Sequence, residues 1–131
     1  MAQNQPSNEQ RMKNIEQIVA IVGDKWSLLI LGKLAFVKNP SRFNELMKEL
    51  KPISSRTLSI KLIKLSDHGI IEKAVKPASP PYTNYALTEK GKDLVDAFSS
   101  MVEWNLKWLH PVAYQNYDKN ADKCIRAKVS S

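Results

Sequence analysis

Along most of the chain, apolar residues recur with a helical period, and near residue 70 the period shortens to two. Ile15, Ile18, Val19 and Val22 share one side of a first helix predicted from about Glu9 to Val22. Gly23 and Asp24 break it, and Asp24 can cap a second helix, KWSLLILGKLAF, over about 25–36. That stretch is apolar nearly all round, which predicts a central buried helix. After a turn at Lys38-Asn39-Pro40, Ser41 can cap a third helix, SRFNELMKEL, whose core face is Phe43, Leu46, Met47 and Leu50. Lys51-Pro52 ends it. Ser54 then caps a fourth helix, in which Leu58, Leu62 and Leu65 fall at i, i+4 and i+7, and Gly69 closes it as a left-handed cap.

IIEKAVK (70–76) and YTNYALT (82–88) then read as two strands. Between them, PASPP (77–81) has three prolines in five residues, a stiff protruding loop too long for a two-residue turn. Thr88 caps a last helix from about Glu89 to Leu109, stopped by Pro111. Residues 1–9 are polar and read as a flexible tail, 10–110 as the folded domain, and 111–131 as a C-terminal tail, either a short helix or disordered. No internal repeat is present. Two short helices joined by a four-residue turn (51–54) and followed by a hairpin form a winged helix-turn-helix pattern. The expected fold is therefore mainly α with a small two-stranded wing.

Charge sharpens this picture. The net charge is +7, and residues 38–92 hold eleven Lys and Arg against five acids, six of those seven charges. Basic charge concentrated in a folded segment is the footprint of a polyanion binder, although a lysine-rich soluble surface is the plainer reading. On the fourth helix, Arg56, Thr57, Ile60 and Lys64 lie opposite the leucines, and no acid precedes Asp67. A helix N-terminus attracts phosphate, so Ser54 and Ser55 are candidates for phosphate contact, with Ser54 assigned mainly to capping. Arg56 can pair with guanine O6 and N7 or make a plain phosphate contact. Ile60 either meets a thymine methyl or marks a shifted helical phase. Lys61 and Lys64 are assigned to the DNA backbone. Arg42 reads as a phosphate contact or a structural salt bridge. Lys76, Ser79 and Thr83 at the wing read as backbone or minor-groove contacts, or as a solvated loop.

Other chemistries find little support. Cys124 is the only cysteine, so no intramolecular disulfide forms, which fits a reducing, cytoplasmic setting. The start lacks the apolar run of a signal peptide, and no stretch is long enough to span a bilayer. His68, His110 and Cys124 do not make a zinc pattern, and no phosphate-binding glycine loop occurs. No cofactor, metal or enzymatic activity is expected. His68 suits the C-terminus of its helix.

Five segments resemble the HxlR family of winged-helix transcription regulators. GDKWSLLILGKL is similar to the family's GGKW-[ST]-LLIL-x-x-L, SRFNEL to its RF-x-E-L, and YALTEKGKDL to its Y-x-L-T-x-x-G-x-x-L. ISSRTLSIKLIKLSDHGII is similar to its I-S-x-[KR]-x-L-[ST]-x-x-L-x-x-L-x-x-x-G-[LI]-[LIV], and Trp104 to its last-helix tryptophan. The resemblance covers roughly 15–108 in order and spacing. It implies a dimer that binds operator DNA as a repressor or activator, with the first and last helices at the dimer interface. Ile15, Val19, Phe98, Met101, Leu106 and Trp108 are the candidate interface residues, and the apolar surface of the last helix is wider than one small core needs. Many members carry a sensing cysteine thirteen residues before the KW tryptophan. Here that position is Lys13, so a thiol switch does not carry over. A small-molecule effector site lined by Trp26, Phe98 and Trp104 is one reading of those aromatics, and plain core is the other. The competing function is a winged-helix protein–protein or architectural module without a specific operator.

Overall fold

A computed structural model describes residues 4–115, so Cys124 and the tail beyond 115 lie outside the described residues. The order is α1 (Asn8–Val22), α2 (Lys25–Phe36), β1 (Ser41–Arg42), α3 (Phe43–Glu49), α4 (Ser55–Asp67), β2 (Ile71–Lys76), β3 (Tyr82–Leu87), α5 (Glu89–Leu109) and α6 (Pro111–Tyr114). The helix starts follow the capping chemistry. The side chains of Ser7, Asp24, Ser54 and Thr88 each accept a backbone N–H from the first turn of the helix that follows.

Leu58, Leu62 and Leu65 of α4 are buried together with Ile30, Leu31 and Leu34 of α2, Leu46 of α3, Ile71 and Leu87 of the sheet and Val95 of α5. This common core fixes the rotation of α4 about its own axis. Gly69, at φ 72°, turns the chain out of α4 in the left-handed region where a Cβ is strained. Thr88 then ties that turn to α5. Its backbone N–H donates to the Ile70 carbonyl, and its hydroxyl donates to the Gly69 carbonyl.

Three expectations need correction. The sheet has three strands, in the order β1-β3-β2, because Ser41 and Arg42 pair antiparallel with Tyr85 and Asn84. Ser41 is therefore a buried strand residue whose hydroxyl donates to the Lys38 carbonyl, and Arg42 occupies the N-cap of α3. Nor is α2 buried all round. It buries Ser27, Ile30, Leu31, Leu34 and Ala35 but leaves Leu28, Leu29 and Phe36 exposed. At α5, the first half packs on the core through Val95, with Leu94 and Phe98 partly buried, while Met101, Val102, Trp104, Trp108 and Leu109 stay exposed.

Candidate nucleic-acid interface

The candidate interface is built on α4. Ser54 Oγ accepts the Thr57 N–H at 3.0 Å and donates to the Thr57 hydroxyl at 2.9 Å, so this serine is committed to the cap. Ser55 and Arg56 follow in the first turn, both exposed, and Arg56 makes no ion pair among the described residues. With the three leucines inward, the outermost line of the helix is Arg56, Ile60, Ile63 and Asp67, at i, i+4, i+7 and i+11. Ile60 is 51 % exposed, so the helical phase is as the sequence predicts and the residue faces out. Ile63, which the sequence reading passed over, is 61 % exposed on the same line.

Lys61 and Lys64 are not free on that outer line. Both lie on the flank of α4 that meets the start of α2, where Asp24 receives them. Lys64 Nζ stands 2.6 Å from Asp24 Oδ2 and Lys61 Nζ 3.4 Å from Oδ1. The same carboxylate accepts the Ser27 N–H at 3.0 Å and the Ser27 hydroxyl at 2.8 Å. Burial opposes the charge on Asp24. The hydrogen bonds from Lys64 and Ser27 outweigh that and hold the carboxyl well below the usual carboxylate range. The residue read from sequence as a helix cap thus also anchors α4.

The wing supplies a second surface. Arg42 stacks on the Tyr82 ring with its guanidinium carbon 3.6 Å from the ring centroid, a stacking contact in place of the salt bridge considered from sequence. Arg42, Ser79 and Thr83 line one groove of about 770 Å³ between α3 and the wing tip, together with Lys38 and Lys48. Lys48 was missed because nothing in its local pattern marks it. Lys38 pairs with Glu45, whose carboxyl is lowered chiefly by that hydrogen bond. Lys76 lies at the exposed end of β2, opposite Tyr82, and outside the groove.

Of the candidate dimer residues, Ile15, Val19 (58 % exposed), Met101 and Trp108 (65 % exposed) stand out from the surface, while Phe98 and Leu106 are half-buried. The fifteen-residue α1 buries only Val22. Trp26, Phe98 and Trp104, read from sequence as either an effector site or plain core, do not line a common pocket. A cavity of about 370 Å³ lies between α2 and α5, lined by Leu28, Gly32, Phe36, Phe98, Met101 and Asn105. Trp26 packs partly buried against the core and Trp104 is exposed, and neither lines the cavity. Among the described residues, no group of three or more His, Cys, Asp or Glu is placed to hold a metal ion, and no helix is long and apolar enough to cross a membrane.

Comparison with known proteins agrees with this fold. The profile of the HxlR-like helix-turn-helix family matches residues 21–113. An uncharacterized HTH-type transcriptional regulator from Synechocystis is 34 % identical over 95 residues, covering 72 % of this chain and 69 % of that protein. The HTH-type transcriptional regulator YodB of Bacillus subtilis is 32 % identical over 97 residues, covering 74 % and 85 %. The solved structure of reduced YodB superposes with a TM-score of 0.65 at 32 % identity, over 75 % of this chain and 94 % of that one. A structure described as a MarR-family transcriptional regulator from Enterococcus faecalis gives a TM-score of 0.70 at 26 % identity, over 84 % and 96 %.

Proposed function

The chain belongs to the HxlR-like helix-turn-helix family and is a DNA-binding transcriptional regulator, and we propose that it works as a homodimer on operator DNA, with one α4 in each of two major-groove half-sites. The observation that carries this reading is the state of Arg56. It projects from the first turn of a capped helix that the core holds in one orientation, and its guanidinium is unpaired among the described residues. Such a group suits a guanine edge, which accepts two hydrogen bonds from an arginine fork. Ser55 and Thr57 flank it at the phosphates. Lys61 and Lys64 reach phosphate only by leaving Asp24, so they add less affinity than free lysines. The groove holding Arg42, Ser79 and Thr83 follows the backbone or minor groove beside α4, and Lys76, outside the groove at the end of β2, adds a separate backbone contact.

Dimerisation is supported by the unpartnered apolar side chains on α1 and on the second half of α5. A two-fold dimer also gives so small a module a site long enough to be specific. The cavity between α2 and α5 has the size and apolar lining for a small effector. A cytoplasmic location fits a DNA partner and the single cysteine.

The test is Arg56→Ala on an operator selected from a random-sequence pool. The variant loses about 1–3 kcal/mol at the selected site and little on random DNA. Equal losses on both would remove Arg56 from base reading.

A further inference from the structure

The outer line of α4 holds two exposed isoleucines one turn apart, Ile60 and Ile63, directly after Arg56 on the same face. Scattered exposed apolar residues need no explanation. Here the exposure is aligned, because Leu58, Leu62 and Leu65 take the whole core-facing side and the rotation of the helix is fixed. We propose that Ile60 and Ile63 read the C5-methyl groups of thymines, so that each half-site carries a guanine opposite Arg56 and thymines within about three base pairs of it.

The dimension follows from the helix. Seven residues rise about 10 Å, from Arg56 to Ile63. Base pairs stack about 3.4 Å apart along each strand, so that rise spans roughly three of them. The thymine methyl is the apolar group on the major-groove edge of the bases, and an aliphatic side chain satisfies it where a hydrogen-bonding one does not. Charge argues for DNA on this face and against a second copy of the chain. Arg56 heads the line, Lys61 and Lys64 stand on one flank where they share Asp24, and most of the net positive charge lies in this part of the sequence. The broad apolar surfaces suited to a second copy are on α1 and α5 instead. Asp67, last on the line, repels phosphate, so the N-terminal two-thirds of α4 is the part that enters the groove.

The inference rests on the major-groove reading of α4, and its test separates the two. An operator is selected from random duplex DNA, and each thymine of the half-site is then replaced singly by deoxyuridine, which removes the methyl and keeps the pairing. Affinity falls about fourfold per lost methyl at one or two positions in each half-site. Ile60→Ala or Ile63→Ala abolishes that sensitivity at its own position. Both residues are exposed, so the variants keep the fold. Specific binding that ignores every uracil replacement would overturn the inference and leave the regulator reading intact. Failure of any sequence to emerge from selection would overturn both. Uracil sensitivity unchanged in the variants, with a dimer that falls apart, would overturn it by placing a second copy on this face.

Discussion

Asp24 and Lys64, forty residues apart in the chain, meet at 2.6 Å, and the same carboxylate holds Lys61 and caps α2 through Ser27. One acid therefore orients α4 and at the same time occupies two of its cations. In the proposed DNA complex, phosphate competes with Asp24 for both lysines.

Asp24→Asn keeps a cap acceptor and removes the charge. The variant should bind all DNA more tightly, specific and random alike, and the log–log salt slope should steepen by up to about two if both lysines then reach phosphate. Titrations at several salt concentrations check this. Unchanged affinity would mean that Asp24 does not compete with phosphate.

The same pair predicts an acid dependence. The folded-state carboxyl of Asp24 is lowered from its ordinary 3.8, so the unfolded chain takes up its proton first as pH falls. The stability it contributes is fully present above about pH 4–5 and drains away as the pH drops toward the lowered folded value. Urea unfolding of wild type and Asp24→Asn should show a gap that is constant from about pH 5 to 8 and narrows below about pH 4.

Gly91 tests how α5 docks. A Cβ there would stand 2.0 Å from the Ile70 carbonyl oxygen and 3.1 Å from Leu87 Cδ2. Gly91→Ala should cost about 1–3 kcal/mol in chemical denaturation, because backbone must move to admit the methyl.

For the proposed dimer, Val19→Glu places a charge on the exposed apolar side of α1. The monomer fold should survive, while self-association measured by sedimentation should weaken tenfold or more, since an unpaired charge is costly to bury. An unchanged dimer would move the interface away from α1.

Much of this was legible in the sequence. The helices α1–α5 and the hairpin follow from period and caps, and Ser54, Gly69 and Thr88 mark their turns by chemistry local to a few residues. What escaped depends on distance or on a missing partner. The strand β1 has two residues, too few to alternate, and exists only through its pairing with β3. Asp24 reads locally as a cap, while Lys64 arrives forty residues later, with Lys61 one turn before it. An apolar stretch such as α2 reads as buried whether its cover comes from the same chain or from elsewhere, so the exposure of Leu28, Leu29 and Phe36 was not visible. Ile63 lies on the same outward line as Ile60, opposite the three leucines, so the helical spacing that turned Ile60 outward already marked it.

The most direct test of the central claim is a footprinting titration of the full chain on DNA from upstream of its own gene, beside scrambled DNA, at two salt concentrations. A dimeric, sequence-reading regulator protects two half-sites one helical turn apart, about 34–36 Å centre to centre, and releases scrambled DNA first as salt rises. Equal, salt-sensitive binding to both DNAs, or no binding at low salt, would contradict the account.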